Sequence, residues 1–492
     1  MKINKSFLAL LLLLLSLFFA LRLPLLGPDI SNSDAARWHI RSVEFFNALK
    51  KGDLASTYQH NQPGVTLMWI GAAYKNFLDK NSNLSLEDAN HYLDVHSGSK
   101  FLLVSILGLL FLIQLLMIKK LYGLKVMIFY GLFVATEPFL VGVDRLFHVT
   151  SLETYLLFTS FLSLLVWQKS EKLVSLILFA IFFALSLLTK TSSLIVLPVF
   201  LFILFAKVIR QRTFKYLLFF LIVPAVYFIL FPAMWVNFGQ VLGKIVDGVL
   251  NGISSDSRTI LYTRLFGFLY YPGLFLYKAS LIFLITSILT IISFRKKENF
   301  KEAKFVLFYM ALFYVAYSIS VKKIDRYLIS LFPPLILCSA LYLGKIKFIF
   351  QKAAVAGIVL CTVILAYLYF PVYTAYYSPI FFGSRGADKL NLYSNSGQYF
   401  SDAAFFINTL PRDTKVLIPF NKESFHSFYN YKQNEQIRVD KSTDFIILSF
   451  NKLSSGALSD KCQNIVKTFG SRIESIVFVY ECNSSKNQKP TL

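Results

Sequence analysis

The chain has 492 residues, of which 56% are hydrophobic, 17% aromatic and only 16% charged. A soluble domain carries roughly 25% charged residues, so this composition excludes an ordinary soluble globule and a disordered chain, and four cysteines are too few for a disulfide-built scaffold. The 50 Lys and Arg against 27 Asp and Glu give a formal net charge of +23, which fits either a nucleic-acid surface or a membrane protein with basic inner loops.

Crossing the hydrocarbon core takes about 20 apolar residues. The first such run, Phe7 to Leu26, follows Lys5 and lacks a small-residue cleavage pattern, which predicts a retained anchor rather than a signal peptide. Ten more runs lie near 101–118, 126–143, 147–167, 173–189, 191–206, 216–235, 272–293, 305–320, 327–343 and 353–371. Eleven spans are therefore expected. With the N-terminus inside the cytoplasm, Lys119, Lys120, Lys169, Lys172, Arg295, Lys296, Lys297, Lys345 and Lys347 all fall on inner segments. Short outer loops hold only Arg145, Lys190, Lys322, Lys323 and Arg326. The positive-inside bias accounts for most of the charge, places the protein in the cell membrane with its C-terminus outside, and removes nucleic acid as a partner.

The first outer loop, about 27–100, contains two helix-like stretches. Ser33 to Leu49 opens on a capping serine and carries an apolar stripe at Ala36, Ile40, Val43 and Ala48. Gly64 to Leu78 is amphipathic, with Trp69 and Tyr74 suited to a membrane interface. The tail, 372–492, mixes a helix-like Ser401–Leu410 with strand-like Val416–Phe420, Phe445–Phe450 and Ile476–Tyr480, predicting a small outer α/β domain after a membrane domain of residues 1–371. Cys462 and Cys482 share that outer domain, where they are either bridged or free.

Chemistry-bearing residues gather in the outer loops. Asp34 follows the first span closely enough to meet a lipid head group, as a general base toward a hydroxyl or as a charge complement to its own helix. Arg37 and Arg41 follow on the same segment, and His60, ahead of the Pro63-Gly64 turn, is either a phosphate or sugar donor or an exposed turn residue. Asp144, Arg145 and His148 sit between two apolar runs, where ionisable groups are costly and so candidates for substrate contact. Lys322, Lys323, Asp325 and Arg326, with Lys190, supply cations suited to a phosphate leaving group or to lipid head groups. Spacing indicates no dedicated metal site, and a divalent ion between Asp34, Asp144 and His148 lacks support from it.

Taken together the motifs resemble an integral-membrane glycosyltransferase of the GT-C fold, nearest to glycosyltransferase family 39, which includes protein O-mannosyltransferases and lipid A aminoarabinose transferases. The resemblance rests on Asp34-Ala-Ala-Arg-Trp-His-Ile-Arg-Ser, Gly52-Asp53, His60-Asn-Gln-Pro-Gly-Val-Thr66-Leu-Met-Trp69, Pro138-Phe-Leu-Val-Gly142, Phe231-Pro-Ala-Met-Trp235-Val, Tyr271-Pro272 and Lys322-Lys-Ile-Asp-Arg-Tyr327. It implies a mainly α, polytopic protein that moves a sugar from a polyprenyl-phosphate donor to a hydroxyl on protein, lipid or glycan, with inversion and Asp34 as base. It further implies phosphate binding by Lys190, Lys322, Lys323, Arg326 and His60, and substrate contacts from Arg37, Arg41, Trp69, Asp144, Arg145, His148 and Asp325. No cofactor is implied. Two departures stand out: Ala35 where members often carry a second acid, and Thr150 near a position often held by Asp, for which Asp144 or Glu153 are the nearby substitutes. The competing readings are a lipid-linked-sugar transporter, disfavoured by the lack of repeated halves, and an inactive family member.

Overall fold

The computed structural model describes residues 5–80, 85–211, 215–254, 265–320, 322–439, 442–455 and 462–482. Among the described residues, sixteen helices run in order through the membrane part: α1 Lys5–Arg22, α2 Ser33–Lys51, α3 Val65–Ala73, α4 Ala89–Tyr122, α5 Leu124–Thr136, α6 Pro138–Asp144, α7 Val149–Ser170, α8 Leu173–Thr189, α9 Leu197–Gln211, α10 Leu217–Leu230, α11 Ala233–Ser254, α12 Leu265–Lys278, α13 Leu281–Ser293, α14 Lys297–Ile319, α15 Phe332–Lys345 and α16 Phe348–Tyr369. This is a multi-pass membrane protein. Among the described residues, six helices are long and apolar enough to cross a bilayer, or eight if the bent pairs α5/α6 (62°) and α10/α11 (108°) each count once. Shorter apolar helices cover 173–189, 191–206 and 281–293.

The helix α7 is the axis of the bundle, with every residue from Val149 to Trp167 buried. The expected 272–293 run is instead split at Ala279–Ser280, because Ser280 caps α13 by accepting the Phe283 N–H and is itself fixed by Glu137, whose carboxylate accepts its N–H (2.7 Å) and hydroxyl (2.8 Å). The break between α5 and α6 has a clear cause. Pro138 has no N–H, so the carbonyl four residues earlier, Val134, is left without its helical donor. The buried Arg22 takes the carbonyls of Val134 and Ala135, at 2.9 Å each, and Asp144 balances its charge at 2.8 Å.

The loop after α1 folds as two helices. Asn32, not Ser33, caps α2, with no side-chain hydrogen bond, and Gly52 closes it in the left-handed region (φ 71°). The helix α3 continues into a π turn at Tyr74–Leu78. The tail carries α17 Gly383–Lys389, α18 Phe400–Ile407 and α19 Lys422–His426 beside a five-stranded mixed sheet, β1 Val416–Leu417, β2 Glu435–Gln436, β3 Phe445–Ser449, β4 Asn464–Gly470 and β5 Ser475–Glu481, in the order β2-β1-β3-β5-β4. Strand β3 runs parallel to β1 and antiparallel to β5. Cys462 and Cys482 form a disulfide flanking the β4–β5 pair. A second core joins Phe400, Ile447 and Val477 of the tail to Tyr92 and Val141 of the membrane part. The tail also bonds to the start of α2, through Ser31 to Ser427 (3.1 Å) and Arg37 to Glu423 (3.0 Å).

Candidate active site

Asp34 stands in the first turn of α2 with its side chain 31% exposed. Two residues from distant parts of the chain meet one of its oxygens. Arg326, on the 3-10 segment Asp325–Leu331, donates from Nη2 to Asp34 Oδ2 at 3.0 Å. His148, which caps α7, brings Nε2 to 3.5 Å of the same oxygen, while its Nδ1 accepts the Thr150 N–H at 3.2 Å. The approach of His148 and then the charge of Arg326 outweigh partial burial and hold the Asp34 carboxyl well below the usual carboxylate range. Burial, then the Arg326 charge, pushes the His148 imidazole down to about 4, so it is neutral near pH 7.

Lys190 closes the other side of this patch. It follows α8, lies 3.5 Å from the buried Glu153 of α7, and its ammonium sits 4.4 Å from the ring centroid of Tyr327, next to Arg326. Ser192 and Ser193 donate to Glu153 Oε1. Thr189, one residue earlier, accepts the Gly64 N–H (3.2 Å) and pairs its hydroxyl with Thr66 (2.6 Å), which docks the start of α3 against this corner. Gly64 has φ 62° and a Cβ there would meet the Trp38 ring at 2.2 Å, so only glycine fits. His60 packs edge-on to Trp38 at 5.7 Å; burial first and then the charge of Arg41 lower its pKa, with a smaller contribution from the exposed Lys322. Arg41 lies over the Trp38 ring at 4.7 Å. An apolar groove of about 250 Å³ between α8, α10 and α11 opens beside Thr191, lined by Leu187, Leu194, Val223, Tyr227, Met234 and Phe238 among others.

The remaining expected site residues go elsewhere. Asp144 and Arg145 are fully buried in structural roles: Asp144 balances Arg22, while Arg145 pairs with Asp29 (2.9 Å) and takes the last carbonyls of α1 and the turn after it. Asp144 therefore does not join Asp34 and His148 around a common cation. Lys323 spends its ammonium on the carbonyls of Tyr317, Ser318 and Ser320 at the end of α14. Asp325 is buried and accepts the Arg326 backbone N–H at 2.7 Å. Trp69 donates to the Leu230 carbonyl (3.2 Å), and Arg37 faces the tail. Sequence reasoning missed Glu153 as the partner of Lys190 and the buried Lys100–Asp29 pair (2.6 Å); both had the signal of a charge beside or within an apolar run. Among the described residues, one His/Asp group has metal-ligand proximity, Asp79, His91 and Asp94. The Lys75 ammonium already occupies it, 3.0 Å from Asp79 and 2.9 Å from His91 Nε2.

Neither a protein-family model nor a curated protein matches this sequence. Solved structures do. ArnT from Cupriavidus metallidurans bound to undecaprenyl phosphate aligns over 97% of this chain and 98% of its own, at 13% identity and a TM-score of 0.54. The fold is GT-C. The same ArnT in the apo state aligns at 13% identity over 96% and 97% of the two chains with a TM-score of 0.49. An oligosaccharyltransferase from Archaeoglobus fulgidus, in complex with Zn and sulfate, aligns at 12% identity over 90% of this chain and 68% of its own, with a TM-score of 0.43. At this identity the likeness speaks to the GT-C architecture, both its membrane bundle and the tail, and leaves the assignment to family 39 unconfirmed.

Proposed function

We propose that the protein is a membrane glycosyltransferase that moves a sugar from a polyprenyl-phosphate donor to an acceptor hydroxyl at the outer membrane face, with inversion at the anomeric carbon and Asp34 as general base. The observation that carries this reading is the meeting of a solvent-reached carboxylate, Asp34, with Arg326, His148 and the nearby Lys190 at one corner of a GT-C bundle. ArnT, with the same fold, was crystallised with undecaprenyl phosphate. The apolar groove beside Thr191 suits the first isoprene units, with the phosphate lying toward Lys190 and Arg326. This reading places the N-terminus in the cytoplasm and treats residues 372–492 as an outer domain.

In the reaction the acceptor oxygen bonds to the anomeric carbon as its proton passes to Asp34, and the bond from that carbon to the phosphate oxygen breaks, the phosphate leaving with the electron pair. The polyprenyl phosphate is already a competent leaving group, so the enzyme mainly aligns the partners and stabilises growing negative charge. Arg326 suits both ends of this event: Nη2 holds Asp34, while Nη1 is buried without an acceptor among the described residues and can take a phosphate oxygen. As phosphate draws on the guanidinium, Asp34 loses part of its ion pair and becomes a stronger base.

The test is sugar transfer by the purified protein from a panel of polyprenyl-phosphate-linked sugars, alongside mass spectrometry of cell glycans with and without the gene. Asp34→Asn is expected to lower kcat by about 100-fold or more, the usual contribution of a general base, in a protein that still folds and inserts in the membrane. Full activity in that variant rejects Asp34 as base. Lipid translocation without transfer would favour the transporter reading.

A further inference from the structure

We infer that His148 is a positioning residue for this reaction: its Nε2–H holds Oδ2 of Asp34, and Thr150 fixes which nitrogen carries the proton. The inference rests on the glycosyltransferase reading given above. A backbone N–H can only donate, so the Thr150 N–H at 3.2 Å makes His148 Nδ1 an acceptor, and the Thr150 hydroxyl adds a second donor at 2.7 Å. In a neutral imidazole the proton then belongs to Nε2, the atom facing Asp34. The separation of 3.5 Å is long for a hydrogen bond, as catalytic contacts often are before substrate arrives. Only 13% of the His148 side chain is exposed, so the ring has little freedom to turn away.

The consequence concerns the other oxygen. Both Arg326 and His148 address Oδ2, and Asp34 Oδ1 takes no hydrogen bond from the described residues. The carboxylate is thereby clamped by one oxygen and presents Oδ1 to the acceptor hydroxyl. The His148 proton stays on Nε2 throughout; the acceptor proton ends on Asp34. Thr150, which departs from the family pattern at its position, acquires a role here as the group that sets the histidine tautomer.

A purely structural role is the rival, since His148 also caps α7. Two substitutions separate them. His148→Asn keeps a short acceptor for the Thr150 N–H but cannot reach Asp34, and His148→Gln carries an amide N–H out to the Nε2 position at the expense of the cap. Positioning predicts that His148→Asn loses about 100-fold in kcat, the scale expected for a misplaced catalytic group, with an unchanged donor KM and thermal unfolding temperature. His148→Gln should keep kcat within about 10-fold while unfolding earlier, as a lost cap requires. The reverse order, with His148→Asn at wild-type kcat in a protein whose Asp34→Asn variant is inactive, overturns this inference alone. A wild-type protein that transfers no sugar, or an Asp34→Asn variant that still does, overturns the underlying reading instead.

Discussion

At the scale of single residues, the proposed site turns on how His148 and Arg326 hold the charge of Asp34. A carboxyl whose pKa is depressed in the folded protein adds stability that is present above its ordinary value of 3.8 and is lost as pH falls through the folded value. Replacing Arg326 by Gln removes one of the groups that favour the carboxylate, so the acid limb of kcat/KM should move to higher pH. The same change removes a charged donor from the phosphate, a contact of about 1.5–3 kcal/mol, and donor KM should rise at least 10-fold. Rate profiles between pH 4 and 8 check both, and a variant with the wild-type profile and KM would disprove the role given to Arg326. Asp34, His148, Lys190 and Arg326 were legible as candidates in the sequence because carboxylates, imidazoles and cations at the ends of apolar runs are rare and costly. Their pairing was not. Nothing local in the sequence says that Arg326 faces Asp34 across 292 positions while Lys323, three residues earlier, folds back on the carbonyls of its own helix end.

At the scale of elements, the α5/α6 break shows why Asp144 and Arg145 read as substrate residues and turn out to be structural. Two arginines exchange services: Arg22 of α1 takes carbonyls freed near Pro138, and Arg145 after α6 takes the carbonyls that end α1, each with a buried aspartate as counterion. The sequence displays a charged cluster between two apolar runs, which is equally the signature of a membrane site and of a helix break stitched to a neighbour. Asp144→Asn leaves Arg22 buried without its counterion, and such a loss costs about 3–5 kcal/mol. It should lower the thermal unfolding temperature in detergent clearly while leaving the donor KM of the folded protein unchanged. A raised KM at unchanged stability would return Asp144 to the substrate site. Strand β4 escaped notice for a related reason: its residues from Asn464 to Thr468 are exposed, so it lacks the continuous apolar run, Ile476–Tyr480, that betrays β5, and only pairing with β5 makes it a strand.

At the scale of the whole molecule, the basic excess lies mostly on segments that the positive-inside rule would put in the cytoplasm, and the charges of the proposed site are few and close to histidines of lowered pKa. Each expected apolar run falls largely on helical structure, three of them broken at Glu137, Phe231–Pro232 and Ala279–Ser280, because apolar length is a one-dimensional property; their order around α7 is not, because it depends on which side chains fill which grooves. That packing takes His39, His96 and His148 out of water and lowers the pKa of each. His148 is pushed down to about 4 and His39, stacked 4.3 Å from Phe147 with His96 at 2.9 Å, to about 3, in both cases chiefly by burial. A histidine with a depressed folded pKa binds fewer protons folded than unfolded, so the unfolded chain gains as pH drops below 6.5, and the loss of stability is complete only near the folded value. Thermal unfolding in detergent should therefore fall steadily from pH 6.5 toward pH 4, the opposite sign to a histidine stabilised by its charge. His39→Gln, which cannot titrate, should flatten that slope even if it lowers the plateau. An unfolding temperature that rises on acidification over this window would mean that these rings are charged in the folded protein, and that Asp34 faces an imidazolium rather than a neutral donor.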